Sequence, residues 1–364
     1  MINRTGIYYW KCDRPSAFHS LHNDGKEKQF QQIDLPVRKL LEKRFNASPF
    51  TLNYGSGQGN HLTYLAVNNA KKYFVRIENG PERDTYMMVE GKIIDEVRNL
   101  GVPAPEIFES DTSRKKVDFA YQIMEYLEYP DLNTLHKAKE LDMLTVAGEI
   151  GKYIARWQSI TPPGFGLFNT EVIIKENRLI GLHDRYTDYY FLNLHNHLNF
   201  LVSKKFLTEN EAKELLDTLY ANKKYLNLSE GCLVHKDLAL WNILGDEDEI
   251  KGFIDWDDSI VGDPTDDLSL LACFYADDVV QSAINGYTTI KALPNNFFPR
   301  FHLHLLRNMI VKAVIRVGAN YFERTDDFFL IDSGSIGGTL EQVTREKIFM
   351  AYNLLNMKKE KIFL

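Results

Sequence analysis

Along the chain, apolar positions follow a strand-like period first and a helical one afterwards. His61 to Val67 alternates, and Lys72-Tyr73-Phe74-Val75-Arg76-Ile77 follows after a polar break, so both read as strands. Phe119 to Leu127 reads as a buried strand running into a hinge. Two helices accompany these strands. Asp34 to Phe45 places Leu35, Leu40, Leu41 and Phe45 at helical spacing, with Asp34 as N-cap and Pro36 in the first turn. Arg83 to Leu100 carries Met87, Val89, Ile93, Ile94, Val97 and Leu100 on one broad face and stops at Gly101.

Beyond Pro130-Asp131, which marks a lobe boundary, the helical period dominates. Leu141 to Ile160 has Leu144, Ala147, Ile150, Ile154 and Trp157 on one face. Residues 164–181 read as a loop or small hairpin. Thr208 and Glu211 form a capping box for a helix reaching Asn227. From Asp266 to the end the pattern is helical, broken at Leu293 to Asn296 and at a glycine cluster, Ser333 to Gly338. Residues 1–30 are read as an extension packed on the first lobe. Within it Ile7 to Trp10 suggests a strand and His19 to Gln32 a mobile polar stretch, and nothing assigns the extension a role.

Composition narrows the function classes. The chain has 364 residues with 44% hydrophobic content, enough for two lobes with substantial cores. A net charge of −7 and the lack of a basic stripe argue against a nucleic-acid partner. The same balance fits a cationic substrate or an ordinary protein surface. Cys12, Cys232 and Cys273 are odd in number, widely spaced and without a C-x-x-C pair, which points to a reducing compartment. Met1 to Pro15 lacks an apolar signal core, and no apolar run approaches the roughly 18 to 20 residues that span a bilayer. A cytoplasmic protein without a membrane partner is expected.

The chemistry concentrates in residues 231–270. Cys232 to Val234 and Ile243-Leu244 are apolar runs flanking a polar loop, His235 to Asn242. A turn and a third apolar run, Gly252 to Ile254, end on Asp255. Strand, turn, strand brings Asn242 and Asp255 together, while Asp237 sits on the loop that enters the hairpin. This is the donor set phosphoryl transfer uses: a carboxylate to accept or orient a hydroxyl proton, and hard oxygens for Mg²⁺. Upstream, Gly55, Ser56, Gly57, Gln58, Gly59 and Asn60 join two strands through three glycines, which lets backbone N–H groups approach a triphosphate. The plain alternative is a flexible hairpin.

His-x-Asp-x-x-x-x-Asn followed by Ile254-Asp255-Trp256 resembles the catalytic segment of protein-kinase-like enzymes. With Gly262-Asp263-Pro264-x-x-Asp267-Leu268, it is similar to the aminoglycoside phosphotransferase and choline kinase branch, which phosphorylates small molecules. The resemblance implies an α+β bilobal kinase-like fold: a small antiparallel-sheet lobe with one long helix over 31–124, then a hinge and a large, mainly helical lobe over 125–364. It implies ATP or GTP with Mg²⁺, and transfer to a hydroxyl of an aminoglycoside-like, amino-alcohol or sugar acceptor. Other acceptors of the same fold are choline, homoserine and a ketosamine. A protein kinase and a nucleotide-binding pseudokinase acting as a binding module are the rivals. No oligomeric state is implied.

Residue by residue, the resemblance makes Asp237 catalytic and Asn242 and Asp255 metal ligands. It places Arg76 at the α- and β-phosphates, where protein kinases use Lys, with Glu90 as its helix partner. Met124 would flank the base, while Glu125 C=O and Leu127 N–H read its edge. His235 and Asp267 would brace the loop. Lys236 stands where the branch often has Gly. For the acceptor, Asp257 or Asp258 could face an amine; otherwise they and Asp263 are simply solvated. Asp184 and Asp188, among Tyr186, Tyr189, Tyr190 and Phe191, either line an acceptor pocket or flank plain helix core.

Overall fold

Five antiparallel strands form the first lobe of the computed structural model, which describes residues 4–15, 17, 26–55, 61–324, 330, 338–357 and 361. The chain enters through a helical turn, α1 (Trp10–Asp13), and a long helix, α2 (Lys26–Phe45). Then come β1 (Thr51–Tyr54), β2 (Leu62–Asn68), β3 (Lys71–Glu78), α3 (Met87–Asn99), β4 (Ile107–Asp111) and β5 (Ala120–Glu125), with strand order β1-β2-β3-β5-β4. β2 buries every second side chain, as its alternation requires. Phe30, Ile33, Val37 and Leu41 of α2 pack with Tyr64, Val75, Tyr121 and Ile123 of the sheet. Helix α3 belongs instead to the larger core shared with the second lobe.

Three expectations need correction here. α2 begins at Lys26, so Asp34 is no N-cap and Pro36 lies inside the helix. Burial of Phe30 and Ile33 on the sheet carries the helix through the polar stretch, and Asp34 accepts hydrogen bonds from the Tyr54 and Tyr64 hydroxyls at 2.7 and 2.9 Å. Strand β4 was not anticipated, because a half-exposed edge strand lacks a clean alternation. Ile7 to Trp10 forms no strand. Tyr8 stacks on Tyr189, and the Asp13 carboxylate accepts from the N–H groups of Tyr8 and Tyr9 and pairs with His197. This segment therefore packs largely on the second lobe, while Arg4 ties it to the first through Asp84 and the Tyr86 ring.

The second lobe continues with α4 (Leu132–Ala138), α5 (Met143–Trp157), β6 (Phe165–Phe168), α6 (Thr170–Glu176), β7 (Gly181–His183), α7 (Tyr186–Tyr190), α8 (Leu194–Ser203) and α9 (Glu209–Ala221). The Thr208–Glu211 capping box starts α9. β8 (Cys232–Val234), β9 (Ile243–Gly245), β10 (Ile250–Phe253) and β11 (Ile260–Gly262) carry the polar loop and its hairpin. β9 pairs with β10, while β8 joins β11 in a separate sheet with β6 and β7. The lobe closes with α10 (Asp266–Ala272), α11 (Asp277–Thr288), α12 (Phe297–Gly318) and α13 (Leu340–Met357). Apart from Gly338, the glycine cluster near 335 lies outside the described residues. No helix among the described residues is long and apolar enough to cross a membrane.

Helix α12 is buried on nearly every side, yet Arg300, His304, Asn308, Lys312 and Arg316 recur along it at intervals of four. They run beneath the polar loop. Arg300 makes a bidentate pair with fully buried Asp263, at 2.7 and 2.8 Å. Asp263 is thus a buried ion-pair partner and not a solvated carboxylate; burial opposes its ionisation, but His304 and Arg300 beside it hold the carboxyl far below its usual range.

Helices α5 and α11 approach through glycines. A Cβ on Gly286 would lie 1.9 Å from the Gly148 carbonyl oxygen, and one on Gly151 would lie 1.8 Å from that of Ala283. Alanine in a helix gains about 1 kcal/mol over glycine, but forcing two backbones apart costs about 3 kcal/mol. Gly286→Ala should therefore lower stability in a urea titration by about 2 kcal/mol, whereas an unchanged or raised midpoint would contradict this packing.

Candidate active site

The β9–β10 hairpin and the loop before it meet β3, α3 and the hinge around a cleft of about 420 Å³. Asp237, Asn242 and Asp255 all line it. Asn242 closes a 3-10 turn, and its amide donates to the Asp237 backbone carbonyl at 2.8 Å and carboxylate at 3.2 Å. The N–H of Ile254 donates to the Asn242 carbonyl at 3.0 Å, which sets Asp255 beside Asn242. Asp255 has φ +64°, a left-handed conformation that Asp tolerates better than most residues. Its side chain stays 42% exposed at the cleft.

Beneath the loop, the Asp267 carboxylate accepts from the N–H groups of His235 and Lys236 and from the Trp157 indole, at 3.0, 3.1 and 3.0 Å. His235 Nε2 lies 3.0 Å from the Ile254 carbonyl, so the ring donates there and links the loop to the hairpin. Burial lowers the His235 pKa to about 4, which leaves the ring neutral. Lys236 has φ +70°, and its buried ammonium reaches Asp266 at 2.7 Å and Asn308 at 2.9 Å. Its side chain thus turns away from the cleft into the ladder of polar residues on α12.

Arg76 connects the two lobes. Its guanidinium reaches Glu90 at 2.5 Å, Asp257 at 3.1 Å and Asp255 at 3.4 Å. It also donates to His61 Nδ1 at 2.8 Å. Burial, then the charge of Arg76, pushes the His61 pKa down to about 3, so this ring is a neutral acceptor. Burial pushes the Glu90 carboxyl up against the pull of Arg76. Gly55 is hydrogen-bonded to Thr63, while Ser56, Gly57, Gln58, Gly59 and Asn60 lie outside the described residues. At the hinge Met124, Glu125 and Leu127 line the cleft with Phe74, Leu244 and Ile254, an apolar slot of the kind that holds a nucleobase.

Two of the expected acceptor residues are not at the cleft. Asp184 and Asp188 are exposed and absent from its lining, and Asp188 pairs with neighbouring Arg185. Tyr186, Tyr189 and Tyr190 are buried core. Asp257 does line the cleft, but Arg76 takes its carboxylate on the first-lobe side. Asp258 lies across from Tyr9, whose hydroxyl donates toward Asp258 and Asp237.

Residues not singled out in the sequence also reach Asp237 or the cleft. Lys312 pairs with Asp237 at 2.7 Å, and Lys11 comes from the N-terminal segment. Enclosure alone would raise the Asp237 pKa, but the charges of Lys312 and Lys11 bring it down to about 2. The signal for Lys312 was present as the polar stripe recurring every four residues in 300–316. Tyr9 and Lys11 left none, because the residues they meet lie more than two hundred positions away.

A divalent cation fits this donor set. The Asn242 amide nitrogen is spent on Asp237, which leaves its oxygen to face a ligand. Asp255 is pushed well above its usual pKa by enclosure and by the nearby charge of Asp257, a crowding that a cation relieves. Among the described residues no cluster of three or more His, Cys, Asp or Glu forms a self-sufficient metal cage. One amide and one carboxylate suit an ion that takes its remaining ligands from phosphates and water.

The model of the phosphotransferase enzyme family, APH, matches residues 52–290. A thermostable mutant of aminoglycoside phosphotransferase APH(4)-Ia, solved with ADP and hygromycin B, is 17% identical, with a TM-score of 0.59 over 86% of this chain and 98% of that one. APH(2")-IIa, solved with streptomycin and ATP, is 18% identical, with a TM-score of 0.54 over 86% and 98%. A Haemophilus somnus 129PT protein, provisionally named a fructosamine-3-kinase, is 12% identical, with a TM-score of 0.56 over 86% and 96%. These likenesses show the fold. No curated protein sequence gives a significant match.

Asp267→Asn tests the loop's support. One carboxylate oxygen becomes an NH₂ group facing N–H donors, so at least one buried donor is orphaned at a cost of about 2–3 kcal/mol. Chemical denaturation should show that loss; an unaltered midpoint would mean the carboxylate does not hold the loop.

Proposed function

The chain belongs to the phosphotransferase enzyme family APH, and from that premise we propose that its cleft transfers the γ-phosphoryl group of ATP or GTP to a hydroxyl of a small molecule. The observation that carries the reading is the meeting of Asp237, Asn242 and Asp255 at one end of a cleft whose other end is an apolar slot at the hinge. A base in the slot puts the phosphates toward Arg76 and the carboxylates. Glu90 and His61 hold the Arg76 guanidinium in place, so its planar fork is positioned before a nucleotide arrives.

In the reaction, the acceptor oxygen forms a bond to the γ-phosphorus as the bond to the β,γ-bridging oxygen breaks. The nucleoside diphosphate leaves with the electron pair, and the acceptor proton passes to Asp237. A carboxylate with a pKa of about 2 is a weak base. That suits a loose transition state, in which the hydroxyl must be oriented early and gives up its proton late. Lys312 holds one carboxylate oxygen and the Asn242 amide the other, which fixes the rotamer in which a remaining lone pair meets the hydroxyl. Asn242 and Asp255 would hold magnesium, which supplies charge neutralisation at the phosphates.

Two substitutions separate chemistry from binding. Asp237→Ala should lower turnover by about 10²–10⁴-fold, measured as nucleotide consumption across a panel of hydroxyl acceptors, while nucleotide affinity stays nearly constant. Full turnover in that variant would remove Asp237 from the mechanism. Arg76→Met should raise the nucleotide KM about tenfold with a smaller effect on kcat; an unchanged KM would leave Arg76 a purely structural tie.

A further inference from the structure

A second, smaller cavity of about 50 Å³ opens on the far side of Asp237 from the nucleotide slot. The two cavities share Asp237 and Lys11 in their linings. Tyr9, Trp241, Lys312 and Arg316 complete the part that matters here. If Asp237 orients an acceptor hydroxyl, this is where the rest of the acceptor lies, so the inference rests on the phosphotransferase reading and narrows its substrate.

The charge of this cavity is unlike that expected for a polycationic acceptor. Lys11, Lys312 and Arg316 oppose one carboxylate, Asp237, among the described lining residues. Lys312 is committed to Asp237. Among the described residues no carboxylate lies within ion-pair distance of Arg316. It is 3% exposed, and its one hydrogen bond among the described residues goes to the Thr344 hydroxyl at 2.7 Å. Its Nε is buried without an acceptor. Burial lowers its pKa to about 10, which still leaves it charged at neutral pH.

The contrast along α12 sharpens the point. Arg300 meets Asp263, His304 meets Asp263 and Asp266, Asn308 meets Asp266, and Lys312 meets Asp237. Arg316, next in the same stripe, lines the cavity without an ion-pair partner among the described residues. A buried unpaired guanidinium is costly, and an incoming anion offsets that cost. Lys11, delivered by the N-terminal segment, stands at the junction with the nucleotide cleft.

We propose that the acceptor is a hydroxyl compound bearing an oxyanion, a carboxylate or a phosphate, and that Arg316 and Lys11 bind that group while the hydroxyl points to Asp237. The aromatic walls from Tyr9 and Trp241 would cover its carbon skeleton. Polyamine acceptors are disfavoured by the same charges.

Four small hydroxyl probes test this: glycolate, glycerol 3-phosphate, glycerol and ethanolamine, each titrated into the full chain with a non-hydrolysable nucleotide. Binding is followed by tryptophan fluorescence, to which Trp241 contributes, and by thermal shift. One of the two oxyanions should bind at least tenfold more tightly than glycerol or ethanolamine, and which one it is identifies carboxylate or phosphate. Arg316→Met should weaken that probe about tenfold while nucleotide affinity, reporting an intact fold, changes less than twofold. Equal binding of glycerol or ethanolamine, or undiminished oxyanion binding in Arg316→Met, overturns the proposal. Turnover measured with the same probes keeps the two claims apart. Phosphorylation of only glycerol or ethanolamine supports phosphoryl transfer and refutes the anionic acceptor. Tight oxyanion binding with no transfer to any hydroxyl supports the cavity and counts against the transfer reading.

Discussion

Charge buried away from water must be matched by opposite charge or dense hydrogen bonding, and in this protein α12 meets that constraint for the whole 235–267 segment. Removing one partner of a buried pair costs about 3–5 kcal/mol, so the side chains from Arg300 to Lys312 fix the 235–267 segment at several points at once. Asp263, Asp266 and Asp237 each face a polar residue of the same helix. The loop that carries Asp237 has little regular secondary structure of its own. Its shape comes from a helix some sixty residues downstream and from Asp267, which gathers two backbone N–H groups and an indole beneath it.

The same logic joins the lobes. Arg76 lies on β3, Glu90 on α3, and Asp255 and Asp257 at the end of the hairpin, so one guanidinium binds three elements. The N-terminal segment adds a second tie. Arg4 grips the first lobe at Asp84 while Tyr8 and Asp13 are anchored on the second, with the Arg307 guanidinium 3.7 Å over the Tyr8 ring. Between those anchors Tyr9 and Lys11 enter the site. A segment that carries no motif is thereby part of the wall between the hinge cleft and the smaller cavity beside Asp237.

Much of this was legible because the 235–267 segment is local. Asp237, Asn242 and Asp255 fall within nineteen residues, and a hairpin needs only alternating apolar runs and a turn to bring its ends together. The capping box at Thr208 and the helix around Glu90 were readable for the same reason. What sequence could not supply was tertiary. The start of α2 is set by Phe30 and Ile33 meeting the sheet. β4 is an edge strand whose pattern is blurred by half-exposure. Asp184 and Asp188 sit beside aromatics that turn inward as core and leave the carboxylates outside. The stripe from Arg300 to Arg316 was visible as a period-four pattern, but its meaning depends on acids that fold against it from another part of the chain.

The central claim is that Asn242 and Asp255 converge on the phosphates of a nucleotide held at the hinge. Electron paramagnetic resonance of Mn²⁺ added as a magnesium surrogate tests it directly. In the native chain the account predicts Mn²⁺ binding that tightens sharply when a nucleoside triphosphate is present, and at least a tenfold weaker ternary signal in Asp255→Asn with the nucleotide still bound. Identical Mn²⁺ binding in the two proteins would contradict it.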